Sequence, residues 1–253
     1  MNFLNPYLEI YLRYPNENQD ELIPFYREVL WLFSKNLNNR LRMFQNRVNI
    51  EIEDVWESPR NFKFEGIYAY QTSIDIEKFK ELDEKSKRKK LLDLVHEGLT
   101  SLAIEFGWDI EAIKDAYIKS IDENYKFVYH SDFKLNRSRK LKGRIRINLN
   151  KRLTTFTAEI IDLESNSLSE CELLQTEQRN FAWWKSIRDY GWMDNHNFGL
   201  KLEKGELWLT TNTSIPNLTE TFKPKKSNIQ QLKNFLEQIR EPVIYNKSAQ
   251  QML

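Results

Sequence analysis

The sequence predicts an α+β fold in which antiparallel sheets are covered by helices, and three observations predict it. Several segments alternate apolar and polar residues with period two, and others carry apolar stripes at helical spacing. Only seven Gly and seven Pro interrupt 253 residues, so regular elements joined by short turns are expected over most of the chain. At 40% hydrophobic and 13% aromatic, the composition suffices for a packed core in one large domain or two small ones.

The first strand alternates Leu8, Ile10, Leu12 and Tyr14 with Tyr7, Glu9, Tyr11 and Arg13, and Pro15 ends it. A helix over 20–37 gathers Tyr26, Val29, Leu30, Phe33 and Leu37 on one stripe, with Pro24 in the first turn. Two strands follow. One places Val48, Ile50 and Ile52 on a core face and Arg47, Asn49, Glu51 and Glu53 on a solvent face; the other spans 62–70 with a bulge at Gly66. A short helical piece at 74–82 precedes a helix that starts at the cap Ser86, carries Leu92, Val95, Leu99, Leu102 and Phe106, and stops at Gly107. Asp109 caps the next helix, with Ile110, Ile113, Tyr117 and Ile121.

The second half opens with a strand at 126–133. A basic strand follows, Leu141, Ile145, Ile147 and Leu149 alternating with Lys142, Arg144, Arg146, Asn148 and Asn150, and a turn at 150–152 leads to a return strand with Phe156, Ala158 and Ile160. Residues 164–169 read as a loop, 170–190 as a helix, and 200–211 as a hairpin turning at Lys204-Gly205. The last helix is capped by Ser227 and carries Ile229, Leu232, Leu236 and Ile239. In symbols the order β-α-β-β-α occurs twice, which divides the chain into halves at 1–125 and 126–253. Each half then reads as a split βαβ sheet of ferredoxin-like kind; one continuous antiparallel sheet gives the same pattern.

Charge is segregated. Nine Lys or Arg residues lie between Lys134 and Arg152, with no acidic residue from Phe133 to Ala158. The whole chain has 38 basic and 37 acidic residues, so without those nine the remainder has 29 against 37, or −8. Arg137, Arg139, Lys140, Lys142, Arg144 and Arg146 are candidate binding residues for an acidic protein partner, or for the phosphates of RNA or single-stranded DNA. Cross-strand pairing of Arg144 and Arg146 with Glu51 and Glu53 would instead make the ribbon structural. A second cluster, with Trp183, Trp184 and Trp192, fits a core, an interface anchor or a stacking platform.

Catalytic signatures are weak. His196 with Asp194, and His130 beside Asp132, are candidate proton-transfer residues without a recognisable nucleophile. His96-Glu97 lacks the second zincin histidine because position 100 is Thr, and no phosphate loop, dinucleotide glycine motif or Cys pair occurs, so no metal or cofactor is expected. The single Cys171, flanked by Glu170 and Glu172, reads as structural. With no long apolar run and no basic-then-apolar leader, a cytoplasmic location is expected, and the Lys, Asn and Ile content suggests a bacterial coding sequence. The expected function is recognition of a protein partner without catalysis, as in bacterial immunity or defence-accessory proteins. Nucleic-acid binding and an enzyme using His196 or His130 are the alternatives.

Overall fold

A parallel core, not an antiparallel one, opens the chain. The computed structural model describes residues 8–12, 16–37, 47–53, 58–151, 153–177, 187–202, 208–213 and 219–221. Within them the fold is α+β, and the chain divides into two units, Met1–Val128 and Tyr129–Leu253.

In the first unit β1 (Leu8–Leu12), β2 (Arg47–Glu53) and β4 (Ile67–Ser73) are parallel, and β3 (Arg60–Phe64) lies antiparallel to β4 at the edge, in the order β1-β2-β4-β3. The expectation of a wholly antiparallel sheet fails here for a physical reason. The long helix α1 (Asn16–Leu37) is a crossover that carries the chain back to the end where β1 began, and β2 must then run alongside β1. The bulge expected at Gly66 is a turn instead: Glu65 and Gly66 both take positive φ, 45° and 81°, and Phe64 pairs with Ile67, so β3 and β4 form a two-residue hairpin. The strand over 62–70 is therefore two.

The helices α2 (Ile76–Glu81), α3 (Glu84–Phe106) and α4 (Ile110–Asp122) are set by their caps. Asp75, Asp83 and Asp109 each accept a hydrogen bond from the backbone N–H three residues on, at 3.1, 2.9 and 3.0 Å. Asp83, not Ser86, is thus the cap of α3, and Ser86 supplies the N–H it accepts. Gly107 ends α3 in the left-handed conformation. The helix α1 is buried nearly all round rather than along one stripe, because it packs on β1, α3 and α4 together. Between α1 and α3 lies a buried ion pair, Arg88 Nε to Glu28 Oε2 at 2.7 Å, with side chains 8% and 1% exposed.

In the second unit every paired strand is antiparallel. One sheet has the order β5 (Val128–His130), β7 (Leu141–Asn150), β8 (Leu153–Asp162), β9 (Leu168–Glu177), with β6 (Lys134–Leu135) also on β7. The other is β10 (Ile187–Trp192), β11 (Asn197–Leu202), β12 (Trp208–Asn212) and β13 (Thr219–Thr221). Their inner faces pack together: a Cβ at Gly143 of β7 would stand 2.8 Å from the ring of Phe198 on β11. Ile145, Ile147, Phe156, Ala158, Phe198 and Leu200 are all fully buried.

The helix expected over 170–190 is absent among the described residues; its two ends are β9 and β10. In β9 an extra residue, Leu173, puts two adjacent leucines where strict alternation would put one. The β-α-β-β-α order therefore does not recur, and the first unit's parallel strands are not those of a split βαβ sheet. The hairpin over 200–211 is the pairing of β11 with β12. The turn expected at Lys204-Gly205 and the helix over 227–239 lie outside the described residues.

Candidate functional site

Strand alternation sorts the basic segment. On β7, Gly143, Ile145, Ile147 and Leu149 point into the sandwich, so Lys142, Arg144 and Arg146 stand on its outer face. Cross-strand register then fixes three rows. Leu135, Lys142, Ile161 and Leu168 lie directly opposite one another across four strands. Beside them run Arg144, Glu159 and Glu170, and then Arg146, Thr157 and Glu172.

The middle row closes on itself. Arg144 Nε donates to Glu159 Oε2 at 2.5 Å, Arg146 Nε lies 3.2 Å from Glu159 Oε1, and Arg146 Nη2 donates to Glu170 Oε2 at 2.7 Å. His130 Nε2 stands 3.7 Å from the same Glu159, which is only 4% exposed although it sits on the outer face. Glu51 and Glu53 are not the cross-strand neighbours of this row, because β2 pairs with β1 and β4 while β7 pairs with β6 and β8. Glu51 belongs to the first unit, is buried, and accepts from Gln71 Nε2 at 2.8 Å, because both faces of β2 are covered. Parity along one strand could not reveal that the carboxylates opposite Arg144 would come from the next strands in sequence.

Removing Glu159 exposes the cost of this arrangement. Glu159→Gln leaves two guanidinium groups without their shared carboxylate, but each keeps about a third of its side chain in water, which discounts the penalty to about 1–2 kcal/mol. Urea denaturation of the variant checks it.

The remaining basic residues divide cleanly. Lys134 is tied inward, donating to Asp189 Oδ1 at 3.0 Å and to the Tyr190 carbonyl at 2.6 Å, and Lys140 pairs with Glu164 at 2.9 Å. Lys142 lies 4.9 Å from the centre of the Phe133 ring, with Arg144 4.7 Å from the same ring. Arg137 and Arg139 are exposed and have no partner among the described residues. Their loop is nevertheless tightly built. Asn136 Oδ1 accepts from the N–H groups of Lys140 and Leu141 at 3.1 and 3.2 Å, Asn136 Nδ2 donates to the Asn195 carbonyl at 3.1 Å, and Ser138 N–H donates to Asn195 Oδ1 at 3.2 Å.

Phe133, Leu135 and Leu168 on this face are left in solvent, at 39%, 53% and 55% exposure, and Leu153 at its far end at 40%. None was identifiable from composition, since only the register places them in one row or beside free cations.

Asp194 and His130, two of the proton-transfer candidates, have partners in the fold. Asp194 Oδ1 accepts from the N–H groups of His196 and Asn197 and Oδ2 from Asn197 Nδ2, each at 2.7 Å, so it builds the turn between β10 and β11. Burial pushes its carboxyl up, but the Asn197 side chain and the two backbone amides outweigh this and hold it below the usual range. His130 faces Glu159 as described. His96 stacks on Tyr117 at 4.2 Å, and burial lowers its imidazole pKa. Trp192 is half-buried, 5.1 Å from Phe198, and its Nε1 donates to the Lys134 carbonyl at 2.7 Å. Trp183 and Trp184 lie outside the described residues.

Among the described residues no group of three or more His, Cys, Asp or Glu converges to hold a metal, and no helix is long and apolar enough to cross a membrane. No protein-family model, curated protein or solved structure matches the chain.

Proposed function

We propose that the chain is a non-catalytic cytoplasmic recognition protein, of the kind that bacterial immunity and defence-accessory proteins represent, and that it holds a protein partner on the outer face of β6 to β9. The observation that carries this is the row Leu135, Ile161 and Leu168, two of its three members well exposed, beside the cations Arg137, Arg139 and Lys142. Apolar anchors ringed by charge are the usual anatomy of an interface. The complementary surface is apolar with acidic residues along one side.

A nucleic-acid strand fits this face less well. Glu159 and Glu170 stand in the middle of the arginine row, so phosphates spaced along the ribbon would meet carboxylates as well as cations. A protein can match alternating signs residue by residue.

The test compares proteins cross-linked to the wild type with those cross-linked to Leu168→Asp and to the double variant Arg137→Glu, Arg139→Glu. A partner retained by the first and lost from both variants is expected, with Leu168→Asp weakening its Kd about 100-fold by calorimetry. A partner held equally by all three proteins would sink the reading. So would low-salt retention of single-stranded oligonucleotides that the arginine variant abolishes, which would install nucleic acid as the ligand.

A further inference from the structure

Away from that face, the open end of the sandwich contains a cleft of about 190 Å³ between β8, β9 and β12. It exists because small side chains occupy the inward positions there: Ser169 and Cys171 on β9 and Thr211 on β12 stand where larger residues would close the two sheets together. At about 30 Å³ per water, the space equals roughly six water molecules, the size of a ligand of five or six heavy atoms.

The lining has one sign. Asp162 and Glu170 contribute to it and no Lys or Arg does, while Glu170 spends its carboxylate on Arg146 at the outer face. Hydroxyls of Ser167, Thr211 and Thr213 join that of Ser169. Thr211 is 3% exposed and lines the cleft. Leu141 and Ile160 supply an apolar wall.

We propose that this cleft binds a small alkylammonium group, with its carbon stem along Leu141 and Ile160 and its nitrogen donating to Asp162 and the surrounding hydroxyls. The inference does not depend on the partner-binding face. An ammonium has three donors and no acceptor, which matches a wall of carboxylate and hydroxyl oxygens; an anion has no donor to offer them.

Cys171, the single cysteine of the chain, lines the same cleft and reports its occupancy. The expected result is that n-butylammonium slows alkylation of Cys171 by iodoacetamide in a saturable way, with half-effect on the order of millimolar as befits so few atoms. Butyrate and n-butanol at equal concentration should leave the rate unchanged. Asp162→Asn should raise the half-effect concentration about tenfold; its amide oxygen can still accept from the N–H groups of Glu164 and Ser165, which Asp162 Oδ1 holds at 2.8 and 3.0 Å, so the turn survives. Amide chemical-shift changes confined to residues 167–171 and 211–213 provide an independent readout. Nα-acetyl-lysine amide, compared with n-butylammonium, separates a protein lysine from a free amine as the natural source. Equal protection by butyrate, or no saturable change in either rate or shifts with n-butylammonium, overturns the proposal.

Discussion

Arg88→Ala is expected to destabilise the protein by about 3–5 kcal/mol, because it strips the counter-charge from Glu28 in the interior of the first unit. The two side chains are 8% and 1% exposed and joined at 2.7 Å, so water cannot take the place of the lost guanidinium. The loss should depend on pH in a direction the site dictates. Burial holds the Glu28 carboxyl above its ordinary value, against the downward pull of Arg88 and of the Phe127 backbone. The folded state therefore binds this proton at a higher pH than the unfolded chain does. Protonation of Glu28 favours folding, a contribution complete below the ordinary carboxylate pKa and lost as pH rises through the raised folded value. Arg88→Ala raises that value further. Its penalty should accordingly be largest at neutral pH and smaller in mildly acidic solution, as pH falls toward the raised value and a neutral Glu28 needs no cation. Urea midpoints of wild type and variant at the two pH values measure this; a penalty independent of pH would show that lost packing, not lost charge, is responsible. Replacing both partners with Leu and Met should cost far less than Arg88→Ala alone.

Phe198→Ala is expected to cost a similar amount, about 3–5 kcal/mol, in the second unit. The ring is fully buried and lies against the bare backbone of Gly143, so on that side no side chain can swing in to refill the space. Gly143→Ala tests the same contact from the other side. Its Cβ would stand 2.8 Å from the Phe198 ring, and the ring must shift or the sheets part. Combined, the two changes should cost less than their sum, since the smaller residue at 198 makes room for the methyl group at 143. Strict additivity in thermal or urea denaturation would show that the two residues do not touch in solution.

These two sites illustrate what periodicity can and cannot convey. The alternation of β7 announces its inner and outer faces, and Asp109 and Gly107 announce helix ends, because each depends on a few neighbouring residues. Parallel pairing in the first sheet, the reversal at Glu65-Gly66 and the extra residue in β9 depend on what the distant chain does. The same limit governs the candidate face. The cationic run was visible in the sequence, but which of its members are satisfied follows from the register of β7 on β8 and β8 on β9. Glu159 and Glu170 lie just beyond the basic stretch, on the two strands that follow it, and alternation along one strand assigns them no partner. Cleft-lining residues such as Thr211 carry no local signal at all.

The bridge from Asn136 to Asn195 stitches the turn before β7 to the turn before β11, one from each sheet of the sandwich. Arg137 and Arg139 thus ride on a backbone whose shape was settled when the sheets closed. A ligand meeting them need freeze only two side chains, not a loop, so the entropic toll of docking stays small and recognition can proceed as the meeting of two nearly rigid bodies.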